Sequence, residues 1–132
     1  MTKNKRFKYY QPNDKDLKGQ NGDCVVRALT KVLNKEWLKV FDDLVPIARE
    51  IQASISMKIV YETYLTNNGF KYTGISNKKG SKRPTVDSFA KDHPTGTYYI
   101  NVANHCVAIV DGIYYDIWDS GNCCIYGYWA KA

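Results

Sequence analysis

Apolar residues in the first half of the chain recur at the three- and four-residue spacing of a helix face. The clearest example follows Asp23, where the apolar positions are Val25, Val26, Leu29, Val32 and Leu33. Aspartate is one of the side chains that commonly cap a helix N-terminus. We therefore predict a helix that begins at Asp23 and carries Cys24 in its first turn.

Three further helices are predicted downstream. One runs from Lys35 to about Val45 and is followed by Pro46, which kinks or stops a helix. A second runs from about Ser54 to Asn67, again with its apolar residues on one face. A short helix is predicted after Pro84, because proline is favoured in the first helical turn.

After Thr97 the residues become β-branched and aromatic, which predicts strands. The predicted strands are Tyr98 to Val102, His105 to Val110, Ile113 to Trp118 and Ile125 to Trp129. Asp111-Gly112 is a strong hairpin signal between the second and third of them. The fold class is therefore α+β. We expect a single domain with an extended polar segment over residues 1–20, a helical lobe over residues 21–92 and an antiparallel sheet over residues 97–132.

The composition fits this picture of one globular domain. The chain has 132 residues, of which 44% are hydrophobic. No apolar run approaches the ~20 residues that span a bilayer, and no export signal is visible, so neither a membrane partner nor secretion is expected. We expect a soluble, cytoplasmic protein whose four cysteines are free thiols.

A formal net charge of +6 raises the question of a nucleic-acid partner. Basic residues gather in Lys3–Lys8, beside Tyr9 and Tyr10, and again in Lys78–Arg83. Such clusters neutralise phosphates and stack bases in nucleic-acid-binding proteins, but charge runs of this size are more often solvated surface. We expect weak polyanion binding, and a basic nucleic-acid-binding module is an alternative function.

Three residue types that thiol catalysis needs occur in the order Cys, His, Asp. Cys24 lies at a predicted helix start, where free backbone N–H groups and the helix dipole stabilise a thiolate. His105 opens an apolar strand and is the candidate base, and Asp119 is the candidate for the acidic group that orients the imidazole. His93 is interpreted as a surface residue in a loop.

The remaining cysteines are not expected to act in catalysis. Cys106 follows His105 in a strand, so alternation points its side chain to the opposite face, and core packing is its expected role. Cys123 and Cys124 have no context that suggests reactivity. The chain has no CxxC pair and its two histidines are far apart, so we expect no metal site and no cofactor.

The hairpin register decides which aspartate can reach His105. A two-residue turn at Asp111-Gly112 places Trp118 opposite His105 and puts Asp116 on the face of His105. A three-residue loop with a glycine bulge instead places Asp119 opposite His105. Residue pattern alone leaves both registers open.

The chain resembles the papain-like cysteine peptidase superfamily, in the compact single-domain forms that include bacteriocin-leader peptidases and small cysteine peptidase-like proteins of phages. The segments that carry the resemblance are Gln20-Asn21-Gly22-Asp23-Cys24, Asn104-His105 and Ile117-Trp118-Asp119-Ser120. The resemblance implies a papain-like fold, with Cys24 as nucleophile, His105 as base and Asp119, ranked ahead of Asp116, as the residue that orients the base. It also implies a host cytoplasm as the location if a phage encodes the chain.

In the superfamily a glutamine before the nucleophile helps to bind the oxyanion of the tetrahedral intermediate. Gln20 matches it by type, although its four-residue spacing from Cys24 is shorter than the papain pattern, and Asn21 is the alternative donor. The expected function is thiol hydrolysis of an amide or isopeptide bond in a peptide or protein, with transamidation as related chemistry. The alternative within the fold is a catalytically silent protein that binds and inhibits a partner protein.

Overall fold

The computed structural model describes residues 5–15, 17–18, 22–76 and 82–131. Four helices lie in these ranges: α1 (Cys24–Leu33), α2 (Trp37–Ile51), α3 (Lys58–Asn67) and α4 (Val86–Asp92). The strands in the same ranges are β1 (Phe7–Tyr9), β2 (Phe70–Gly74), β3 (Thr97–Val102), β4 (His105–Val110), β5 (Ile113–Asp116) and β6 (Gly127–Lys131). The predicted α+β class is confirmed.

The strands form one mixed sheet in the order β1-β5-β4-β3-β6-β2. The neighbours from β5 to β2 are antiparallel, whereas β1 runs parallel to β5. The sheet is therefore not confined to residues 97–132, as the sequence predicted. Both additional strands lie at edges, and their side chains are mostly exposed, so neither produces the apolar alternation by which a strand is recognised.

The helix boundaries follow the predicted pattern, with one clear exception. The helix predicted to end near Val45 continues through Pro46 to Ile51. Pro46 lies on the exposed side of α2, while Leu44 and Ala48, four residues apart, are buried against the core. Packing of this face outweighs the loss of one backbone hydrogen bond at the proline. Among the described residues, no helix is long and apolar enough to cross a membrane.

The core is divided by the sheet. On one face, α1 packs across the middle of the sheet, with Val25, Leu29 and Val32 against Ala108 and Cys106 of β4. On the other face, α4 packs through Val86 and Phe89. This arrangement lays the first turn of α1 beside the first residues of β4.

The β4–β5 hairpin has the two-residue turn. Val110 pairs with Ile113, and Asp111 and Gly112 both have positive φ, as a type I′ turn requires. The same register places Ala108 opposite Tyr115. Asp116, the last residue of β5, therefore lies on the face of the hairpin that carries His105.

Candidate active site

Cys24 is the first residue of α1, as predicted, and is partly exposed at the helix start. Asp23 occupies the N-cap position, but its side chain does not cap the helix. Its carboxylate instead accepts hydrogen bonds from Arg27 Nη1 at 2.7 Å and Trp37 Nε1 at 3.0 Å. The first-turn backbone N–H groups of α1 are therefore left without a side-chain cap from Asp23.

His105 is fixed by a tight turn at the start of β4. Val102 pairs with His105 across the two-residue turn, and Asn104 takes the positive φ of 53° that this turn requires. The imidazole Nε2 lies 2.6 Å from Asp116 Oδ2. Trp118 packs against the same ring at a tilt of 36°, with 5.1 Å between ring centroids. With Nε2 engaged by Asp116, Nδ1 is the nitrogen left to face Cys24.

Asp116 is completely buried and its carboxylate is saturated with donors. Oδ2 accepts from His105 and from the Ser120 hydroxyl at 2.8 Å. Oδ1 accepts from the Ile117 backbone N–H at 2.8 Å and from Arg27 Nη2 at 3.2 Å. A carboxylate held from four directions keeps a fixed orientation and cannot turn away from the imidazole.

Asp119 does not contact His105, and ranking it first is corrected. Its carboxylate accepts hydrogen bonds from the Tyr114 hydroxyl and from the Gly121 backbone N–H. The reason is the two-residue turn, since one residue of slip in the hairpin moves every side chain of β5 to the other face. Asp116, the alternative, is the residue that the structure brings to the imidazole.

Cys106 is a site residue that the sequence analysis missed. It is buried in the core as expected, but its thiol also contacts Cys24. The hydrogen bond to Cys24, together with burial, raises the pKa of Cys106 well above its usual value. A neutral Cys106 thiol beside Cys24 favours the thiolate form of Cys24. Alternation directs the Cys106 and His105 side chains to opposite faces of β4. Cys24, at the N-terminal end of α1, lies beside the start of β4 and is close to both.

The electrostatics of the site favour a thiolate on Cys24. The hydrogen bond from Cys106 is the largest cause, burial opposes it, and the hydrogen bond and charge of His105 add to it, so the pKa of Cys24 falls to about 4. Burial disfavours the charged form of His105, but the hydrogen bonds with Asp116 and Cys24 outweigh it and raise its pKa to about 9. Between these two values the pair is thiolate and imidazolium.

A cleft of about 470 Å³ opens beside the cysteine and the histidine. Its lining includes three tyrosines, two asparagines, a serine and a lysine: Ser56, Lys58, Tyr61, Tyr72, Asn101, Asn104 and Tyr126. The wall is completed by Gly22, Cys24, Val25, Val102, His105 and Cys106. The thiol is therefore accessible to a ligand in the cleft, whereas Asp116 behind the imidazole is not.

The other predicted residues either lie outside the described part of the chain or do not line the cleft. Gln20 and Asn21, the two candidate oxyanion donors, lie outside the described residues, as do residues 3–4 and 78–81 of the two basic clusters. In the described parts of these clusters, Arg6 pairs with Asp87 at 3.6 Å and Arg83 lies over the Tyr126 ring. His93 stacks on Phe89 of α4, its Nδ1–H donates to the Phe89 carbonyl oxygen, and it does not line the cleft.

The described part of the chain contains no group of three or more His, Cys, Asp or Glu side chains that could hold a metal ion. No protein-family model, curated protein or solved structure matches the chain. The interpretation of the site therefore rests on its own geometry.

Proposed function

We propose that the protein is a thiol hydrolase of the papain-like type, which cleaves an amide or isopeptide bond of a peptide or protein with Cys24, His105 and Asp116. The observation that carries the proposal is the chain of contacts from a cleft-lining cysteine at a helix start, through an imidazole, to a buried carboxylate 2.6 Å away. Each group in this chain has the environment that its role needs.

The proposed reaction follows from these positions. The Cys24 thiolate attacks the carbonyl carbon and forms a tetrahedral oxyanion, which the Cys24 backbone N–H stabilises. The His105 imidazolium gives its proton to the leaving amine as the C–N bond breaks, leaving an acyl-enzyme. His105 then takes a proton from water as the water attacks the thioester, and the carboxylic acid and the thiolate are released. An amine in place of water gives transamidation.

The first experiment is the pH dependence of iodoacetamide labelling at Cys24, read by peptide mass spectrometry. We expect the labelling rate to be nearly constant from pH 5 to pH 8, with its midpoint at about 4. The exposed Cys124 thiol is the internal comparison for the labelling rate. In His105→Ala the Cys24 midpoint should move upward, because one hydrogen bond and one positive charge are removed.

The second experiment tests turnover. A mixture of peptides and isopeptide-linked peptides is incubated with the wild type and with Cys24→Ala, and the products are read by mass spectrometry. Cleavage that needs Cys24 supports hydrolysis. A labelling midpoint near that of an ordinary thiol would refute the proposed function and favour a silent binding protein.

A further inference from the structure

Among the residues that the structure describes, Arg27 is the only buried arginine or lysine, and nothing in the proposed reaction uses it. It lies one turn after Cys24 in α1, and only 4% of its side chain is exposed. A buried guanidinium must have its charge and its donors satisfied, or the fold is destabilised. Arg27 meets this need with the carboxylates of Asp23 and Asp116, which lie far from each other in the sequence.

The two carboxylates belong to different parts of the site. Arg27 Nη1 donates to Oδ1 of Asp23, the residue before the nucleophile, at 2.7 Å. Arg27 Nη2 donates to Oδ1 of Asp116 at 3.2 Å. The planar guanidinium fixes the angle between its donors, so this bridge sets the separation of the two carboxylates.

The bridge also determines how Asp116 faces the imidazole. Arg27 and the Ile117 N–H occupy Oδ1, so Oδ2 is the oxygen that remains for His105. At the other end, Trp37 Nε1 holds Asp23 from the start of α2. The bridge therefore connects the backbone position of Cys24 to the orientation of the His105 ring.

We infer that Arg27 is a positioning residue of the site, whose guanidinium holds the helix start that carries Cys24 in register with the carboxylate that orients His105. The inference rests on the proposed function, because it assigns Arg27 to the same thiolate–imidazolium pair. Arg27 does not touch the cleft and acts through Asp23 and Asp116.

A simple counter-charge role and a positioning role predict opposite results for Arg27→Gln. Loss of a nearby positive charge by itself favours the imidazolium, so a counter-charge role raises the pH midpoint at which His105 titrates. Loss of positioning weakens the Asp116–His105 hydrogen bond, so the midpoint falls by about one pH unit. In Arg27→Lys the charge is kept, but a single amine nitrogen replaces the two guanidinium nitrogens that bind Asp23 and Asp116. A positioning role therefore again predicts a lower His105 midpoint.

The experiment is an NMR titration of the imidazole Cε1–H signals, for which the chain has two histidines and His93 is the internal reference. The variants are Arg27→Gln, Arg27→Lys and the charge-balanced Asp23→Asn/Arg27→Gln, which avoids an unpaired buried carboxylate if Arg27→Gln alone does not fold. Lys35→Gln removes a cation that pairs with Asp43 away from the site and controls for the change in net charge.

A lower His105 midpoint in the Arg27 variants, with Lys35→Gln unchanged, is the expected result. An unchanged or raised midpoint in the folded Arg27 variants overturns the inference. Failure of the proposed function is distinguishable, because it would be seen in the wild type itself, as a His105 midpoint near 6.5 and an ordinary Cys24 labelling profile.

Discussion

Replacing Asp116 by asparagine tests the arrangement of the site most directly. The buried carboxylate accepts from four donors: His105, Ser120, Arg27 and the Ile117 N–H. An asparagine of the same shape has one oxygen, which can accept from two of them. Two donors then face an NH₂ group in a site without solvent, and the imidazolium loses its negative partner.

The size of the effect follows from the hydrogen bond that is lost. A hydrogen bond to a charged group contributes about 1.5–3 kcal/mol, and 1.36 kcal/mol corresponds to one pKa unit. The pKa of His105 should therefore fall from about 9 toward 6.5 by about one to two pH units. The Cys24 midpoint should change less, since the imidazole is still charged at the acid end of the range. Under the proposed function, turnover at pH 8 should fall by about 10²- to 10⁴-fold.

The assay is the His105 titration by NMR, with thermal unfolding measured in parallel to confirm that the variant is folded. Asp119→Asn is the matched control, because Asp119 lies three residues away and holds Tyr114 and Gly121 instead of the imidazole. We expect the His105 midpoint of this control to equal that of the wild type. A midpoint that stays near 9 in Asp116→Asn, or that falls in Asp119→Asn, would refute the reasoning.

Three further predictions concern the thiol, the pH range and the core. Cys106→Ala should raise the Cys24 labelling midpoint above about 4, because the largest cause of its low pKa is removed. Cys106→Ser should raise the midpoint less. A Cys106→Ala midpoint identical to that of the wild type would contradict this prediction. Hydrolysis should be bell-shaped with limbs near pH 4, where the thiolate is protonated, and near pH 9, where the imidazolium is lost, whereas labelling should show no alkaline decline. Leu29→Ala should lower the free energy of unfolding by about 2–5 kcal/mol, and Leu38→Ala, 66% exposed, by less than about 0.5 kcal/mol, as measured by denaturant unfolding.

The parts of the site that the sequence predicts are those with a strong local signal. Cys24 was placed at a helix start because the apolar spacing begins after Asp23, and His105 was placed at a strand start because an apolar run follows it. Both placements depend on residues within one turn or one strand. The contact between the two elements then follows from amphipathic packing of α1 on the sheet.

The choice between Asp116 and Asp119 depended on a feature that the sequence leaves open. Asp111-Gly112 is compatible with a two-residue turn and with a bulged loop, and the two differ by one residue of register. The family resemblance favoured Asp119, and the turn geometry reversed that order. The choice between the two aspartates depends on the backbone dihedral angles of the turn, which the residue types do not determine.

Arg27 and Cys106 could not be predicted because their roles depend on distant residues. A charged residue within an apolar helix is ordinarily assigned to the solvent-exposed face. Arg27 is buried only because Asp116, 89 positions later, supplies a second carboxylate. In the same way, the role of Cys106 depends on how the N-terminal end of α1, which carries Cys24, packs against β4. β1 and β2 were missed because short, exposed edge strands carry little apolar signal.

The parallel pairing of β1 with β5 has a consequence for the order in which the protein is completed during synthesis. Phe7 pairs with Tyr114, and the Tyr10 N–H donates to the Asp116 carbonyl. β1 therefore cannot pair until β5 has been synthesised. Contacts of such long sequence separation carry a large loop-closure entropy cost and slow folding. A nascent chain that ends before β4 has neither His105 nor Asp116, so it lacks the contacts that lower the pKa of Cys24. The β4–β5 hairpin completes the site and also gives β1 its partner strand, so the site and this edge of the sheet are completed by the same segment.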